Sequence, residues 1–307
     1  MERIPMARPS WNDEMRSAAM DTLDSKHWVK GRQVQEFGNE FADYCGVLKA
    51  APCQNGSSAL WAALKIAGIG PGDEVIVPSF TFISTATCIV LVGAQPVFVD
   101  VEADYFCLDL VEIKKAITPR TKAVIGVHLF GQPYDPKIVD FCKENDLLLV
   151  EDAAQAHGAS QLMSDGERRN AGAMGDVGCF SFFPSKNMAV GGEGGMLTTI
   201  HPKFSSRIQS ITNHGRTPDL ESIELGSNLR MSEVAAAIGR RQLDYLDRWV
   251  HARRNTAERF TQLLHNHPLI EAPQVRTNAE HAWHQFCVQT NHPEELQAHL
   301  DKFEIDS

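Results

Sequence analysis

Short apolar, β-branched runs alternate with stretches of helical period along the first two thirds of the chain. Glu74-Val-Ile-Val-Pro78, Pro96-Val-Phe-Val-Asp100, Lys122-Ala-Val-Ile-Gly-Val127, Leu147-Leu-Leu-Val-Glu151 and Val177-Gly-Cys-Phe-Ser-Phe182 are strand-length runs with few polar positions. A strand with one wet face alternates apolar and polar residues, so unbroken runs predict strands covered on both faces. Between them, Ser57 to Ala67 carries Leu60, Ala63, Leu64 and Ala67 at i, i+3, i+4 and i+7, and Pro136 to Glu144 is a second helix candidate. This alternation predicts an α/β fold on a mostly parallel sheet. Sheets of that kind place their ligands at the carboxyl ends of the strands, so the residues that follow strands are the ones to read for chemistry.

Two further stretches bear on organisation. Gln161 to Gly172 is polar and reads as an exposed loop within the domain. From Met231 a long apolar pattern through Val234, Ala235, Ile238, Tyr245, Leu246 and Trp249 predicts an extended helix that continues through Arg253 and Arg254. The domain change is placed there, dividing the chain into residues 1–250 and 251–307.

Composition narrows the class. At 307 residues, 43% hydrophobic and 22% charged, the chain has the usage of an ordinary globular protein. A formal charge of −10 argues against a protein that coats nucleic acid or anionic membrane. Seven scattered cysteines without a Cys-x-x-Cys spacing suggest reduced thiols in a cytoplasm. Glu2, Arg3 and Pro5 stand where a secretory leader needs an apolar run, and no stretch reaches the roughly 18 apolar residues of a membrane span.

Three segments could carry chemistry. Asn55-Gly-Ser-Ser58 precedes the first clean helix; free N–H groups, hydroxyls and the helix dipole there suit a phosphate, although an ordinary serine cap explains the same residues. Glu151-Asp152 ends an apolar strand, where alternation sends the two acids to opposite faces; an acid there could ligate metal, act as a base, hold a protonated ring nitrogen or serve structure alone. Ser181-Phe-Phe-Pro-Ser-Lys186 leaves another strand for the glycine-rich Gly191-Gly-Glu-Gly-Gly195, and an amine desolvated at such a strand end becomes a nucleophile. No G-x-G-x-x-G follows a strand, and neither a P-loop nor an H-E-x-x-H occurs. His281 with His284, and His265 with His267, lack acidic or thiol partners in sequence, so no metal site is expected.

Taken in order, these segments resemble the DegT/DnrJ/EryC1/StrS sugar aminotransferase family of the fold-type I pyridoxal-phosphate enzymes. The likeness runs from about Trp28 to the chain end through Gly70-Pro-Gly-Asp-Glu-Val-Ile-Val-Pro-Ser-Phe-Thr-Phe82, Pro96 to Asp100, Glu151-Asp-Ala-Ala-Gln-Ala-His-Gly158, Ser181 to Asn187 and Gly226-Ser-Asn-Leu-Arg-Met231. The resemblance implies a three-layer fold and a pyridoxal 5'-phosphate cofactor carried as a Schiff base on Lys186. It implies that Asp152 pairs with the pyridine nitrogen, Gln155 meets the phenolic side, and Phe82 stacks on the ring. Ser57, Ser58 and Ser181 match phosphate contacts, and Asn228 matches a residue that reaches the neighbouring subunit's site, which implies a homodimer. His128, His157, His214 and Arg230 lie in family-like stretches and are expected to pack or to hydrogen-bond behind the site.

The same resemblance implies ping-pong transfer of an amino group from L-glutamate or L-glutamine to a keto-sugar of the nucleotide-linked kind. Amino-cyclitol or aminohydroxybenzoate formation, and a regulatory homologue that binds cofactor without turnover, are the family's alternatives. A sugar dehydratase would carry His in place of Lys186. Family chains normally continue past the segment that resembles His281 to Ser307, adding a Tyr-Pro and His-containing loop, so residues 251–307 are expected to form only part of the small domain.

Overall fold

The computed structural model describes residues 3–217, 219 and 221–307; Glu2, invoked above against a leader, lies outside them. Two helices lead, α1 (Asp13–Asp24), capped by the Asn12 side chain, and α2 (Arg32–Cys45). The α/β alternation then begins with β1 (Lys49–Cys53), α3 (Gly56–Ile66), β2 (Glu74–Pro78), α4 (Ser84–Leu91) and β3 (Gln95–Val99). It continues with α5 (Leu110–Ala116), β4 (Thr121–Val127), α6 (Lys137–Glu144) and β5 (Leu148–Asp152). A hairpin of β6 (Ser160–Leu162) and β7 (Arg168–Asn170) precedes β8 (Val177–Ser181) and β9 (Gly195–Thr199). Short helices α7 (Pro202–Ser205) and α8 (Arg207–Ile211), the 32-residue α9 (Glu233–Leu264), β10 (Ala279–Glu280) and α10 (Pro293–Lys302) complete it.

Seven strands form one sheet in the order β1-β9-β8-β5-β4-β2-β3. Its β3, β2, β4, β5 and β8 pair in parallel, while β9 runs against both neighbours. Side chains alternate across a strand, and the cores divide accordingly. Val75, Val77, Ala123, Ile125, Val150, Cys179 and Leu197 pack with α3 on one face. Ile76, Val124 and Leu149 pack on the other with Ile138 of α6, and Phe180 and Met196 pack there with Phe37 and Phe41 of α2. The result is the expected three-layer α/β fold.

The five strands expected from apolar runs are present within one residue at each end, but β3, at the sheet edge, is not covered on both faces as its run predicts: Phe98 is 57% exposed. The segment 161–172 differs from expectation: β6 and β7 make a hairpin that pairs with β10, and Gln161 and Ala171 are buried. Gln161 donates from Nε2 to the carbonyls of Leu162 and Thr277, so a polar side chain holds the segment down where an apolar one was sought. The expected long helix is α9, unbroken across position 250.

Candidate active site

The carboxyl end of β5 delivers two adjacent acids to opposite faces. Asp152 follows Val150 onto the α3 side, where Thr85 of α4 donates its hydroxyl to Oδ2 at 2.8 Å and the Ala154 N–H donates to Oδ1 at 3.2 Å. Burial raises the Asp152 pKa; the Thr85 and Ala154 bonds and the Lys186 charge oppose that rise. Glu151, fully buried, faces the other layer and accepts N–H bonds from Gly172, Met174 and Gly175 at 2.7–2.8 Å. His128 completes its shell: Nδ1 accepts from the Tyr134 N–H, so Nε2 donates to Glu151 at 2.8 Å.

The α3 start lies against β8 and β9. A Cβ on Gly56 would stand 2.8 Å from the Ser181 Cβ, and one on Gly195 would stand 2.4 Å from the Asn55 carbonyl, so both positions exclude a side chain. The cap is Asn55, whose Oδ1 accepts from the Ser58 N–H at 2.8 Å; the serine cap considered from sequence is not the one used. Ser57 is therefore left exposed, its hydroxyl 2.7 Å from that of Ser84, and Ser58 accepts from Gln54 at 3.0 Å. Ser181 ends β8 half-buried, and its hydroxyl accepts from the Phe183 N–H at 3.4 Å. Free N–H groups of α3 and the hydroxyls of Ser57 and Ser181 thus converge beside the Asp152 strand end.

A turn closed by the Lys186 N–H on the Phe183 carbonyl at 2.8 Å carries Lys186 off β8. Its side chain is half-buried; that burial lowers the pKa below the ordinary lysine value, and the Asp152 charge partly restores it. Gln155 accepts the Phe130 N–H at Oε1 at 2.6 Å, which fixes its amide orientation and turns the NH2 end into the available donor. Phe130 has a left-handed backbone, φ 58°, and its carbonyl accepts from the His284 N–H at 2.8 Å.

The remaining expected residues sit on loops and in the core around these strand ends. Phe82 is 67% exposed on the loop after β2, and Asn228 is exposed and bridged through its backbone to Asn213. Arg230 donates to Asn213 Oδ1 at 2.9 Å. His157 is buried between Phe180 and Phe182, with burial pushing its pKa down to about 3, so it is neutral. His214 differs from expectation in that its ring is exposed. His281 Nδ1 accepts from the Trp283 N–H at 2.8 Å; among the described residues no cluster of three His, Cys, Asp or Glu could hold a metal ion. Sequence reasoning missed Thr85, 67 residues from Asp152, and Arg253, whose place beside Lys186 depends on tertiary packing.

A mostly parallel sheet with a buried acid and a desolvated lysine at its strand ends is the arrangement of the α/β aminotransferases, and solved structures of that class superpose on it. DesV of S. venezuelae, solved with a ketimine intermediate, covers 96% of this chain with 78% of its own, at TM-score 0.92 and 38% identity. Residues 9–307 match the DegT/DnrJ/EryC1/StrS aminotransferase family, and the chain belongs to it. Its relatives include UDP-N-acetyl-3-dehydro-alpha-D-glucosamine 3-aminotransferase of Acidithiobacillus ferrooxidans, 40% identical over 91% of this chain and 74% of the relative. Another is dTDP-3-amino-3,4,6-trideoxy-alpha-D-glucose transaminase of Streptomyces venezuelae, 38% identical over 96% and 76%. The protein is an aminotransferase. Among the described residues no helix is long and apolar enough to cross a membrane.

Proposed function

We propose that this enzyme moves an amino group from L-glutamate or L-glutamine to a nucleotide-linked keto-sugar in ping-pong order, using pyridoxal 5'-phosphate bound at Lys186. The observation that carries the reading is the pairing of a buried, incompletely saturated carboxylate, Asp152, with an amine whose pKa burial has lowered, Lys186. The residues present fit the cofactor. Ser57, Ser58 and Ser181 with the α3 start would hold the phosphate, and Asp152 would hold the ring nitrogen. The Gln155 amide would meet the phenolic oxygen, and Phe82 would cover the ring.

The cofactor supplies an electron sink for the pair left when a proton leaves the donor's α-carbon. Lys186 does the proton work: with its affinity for a proton reduced, more of it is neutral near pH 7 than of an exposed lysine, so it accepts a proton there and returns it. Thr85 and the Ala154 N–H fix both oxygens of Asp152, so its charge needs no reorganisation during the reaction. The sugar class is supported by the relatives, whose names specify UDP- and dTDP-linked amino-sugars.

We read residues 1–250 as the large cofactor-binding domain and 251–307 as part of the small one, with the divide inside α9. We read a cytoplasmic homodimer in which Asn228 reaches the neighbouring site; Ile223 and Leu225, 65% and 86% exposed, offer apolar surface beside it. The test is a visible spectrum after reconstitution with pyridoxal phosphate. A band that forms in the wild type, bleaches on adding L-glutamate and is absent in Lys186→Ala is expected. No band at all in the wild type would sink the reading.

A further inference from the structure

A cavity of about 420 Å³ opens beside Lys186, walled by Trp249, Phe260 and Trp283 and reached by Arg253 and His284. No aspartate or glutamate is among its lining residues in the described part of the chain. Arg253 donates from Nη1 to the carbonyls of Trp283 and His284 at 3.0 and 3.4 Å, and its other N–H groups have no protein partner among the described residues. Burial alone lowers its pKa, with no carboxylate acting the other way. Its neighbour Arg254 shows the ordinary arrangement, an ion pair with Glu280 at 3.3 Å. The buried Nδ1 of His284 also lacks a partner, and burial, Lys186, Arg253 and His157 together push this ring down to about pKa 3. A partly desolvated guanidinium without a counter-charge is costly unless an anion joins it.

We propose that this cavity is an oxyanion subsite, in which Arg253 pairs with a carboxylate or phosphate of a substrate that reacts at Lys186. The inference rests on Lys186 being the reacting amine. The anion belongs either to the amino donor or to the diphosphate of the acceptor; planar two-point contact from guanidinium to either is chemically the same.

The cavity's own tryptophans supply the readout. The cofactor-free protein is titrated separately with glutarate, an unreactive dicarboxylate, and with UDP, while the tryptophan emission, to which Trp249 and Trp283 of the cavity contribute, is followed. Saturable binding of glutarate that weakens in Arg253→Met assigns the donor's carboxylate, and binding of UDP that weakens in the same variant assigns the acceptor's phosphates. Arg253→Met should weaken that binding about tenfold or more. Thr256→Glu, at an exposed position on the cavity wall one turn along α9, supplies an internal carboxylate and should do the same without touching the Arg253 carbonyl bonds. No binding by the wild type, or wild-type binding by either variant once folded, overturns the subsite. Neither titration involves turnover, so a missing Lys186 absorption band would defeat the proposed function separately.

Discussion

Glu151 and Asp152 are neighbours on one strand, both buried, and they live in opposite circumstances. Glu151 has three N–H donors and the His128 ring, which fill its acceptor sites with protein. Asp152 has one hydroxyl and one N–H, with Lys186 near enough to act on its charge. A carboxylate saturated by backbone is committed to holding the fold. One left with unused acceptor capacity at a strand end can meet a ligand. The face of the sheet, set by a single step along the strand, decides between the two.

The contrast can be broken from either side. Glu151→Ala strands four donors in the core and should cost about 3–5 kcal/mol of stability in urea unfolding, with activity per folded molecule kept. An equal loss from Asp152→Ala would erase the distinction. Asp152→Asn keeps shape and removes charge; the rate of the L-glutamate half-reaction should fall by about 10²–10³ while the unfolding midpoint hardly moves. Thr85→Val removes a bond that favours the ionised form, so the Asp152 pKa rises further and the acid limb of the half-reaction profile moves to higher pH; stability should drop by about 1.5–3 kcal/mol. An unmoved limb would mean that Asp152 does not govern the profile.

The smallest effect concerns His157. Its folded pKa of about 3 lies below the ordinary 6.5, so the unfolded chain binds more protons between those values and wild-type stability falls as pH drops through them. His157→Phe should change stability by under about 1 kcal/mol at pH 7.5 and flatten the decline measured from pH 6.5 to 4.

Much of this was legible in the sequence because buried parallel strands announce themselves: β2, β4 and β5 centre on short runs of Val, Ile and Leu, too short for a buried helix and without the alternation of a wet strand. The edge strand β1, Lys-Ala-Ala-Pro-Cys, was invisible, since its small residues and Pro52 carry little strand signal and only an edge tolerates that proline. Strand β9 was hidden by the glycine run from which it starts. For the site, local order foretold that the two acids diverge. It could not foretell Thr85 or Arg253, because each meets its partner only after α4 and α9 have docked.

Helix α9 began here as a long apolar pattern and ends as a mechanical part. At its first turn Glu233 accepts the N–H groups of Gly31, Gln33 and Val34, anchoring the start of α2. Midway, Gln242 accepts the Ala189 N–H, three residues past Lys186, and further along Arg253 enters the cavity. Thirty-two residues at a helical rise make a rod about 48 Å long. Arg253 lies twenty residues past Glu233, about 30 Å along that rod, so one continuous helix ties the anchor of α2 to the wall of the cavity.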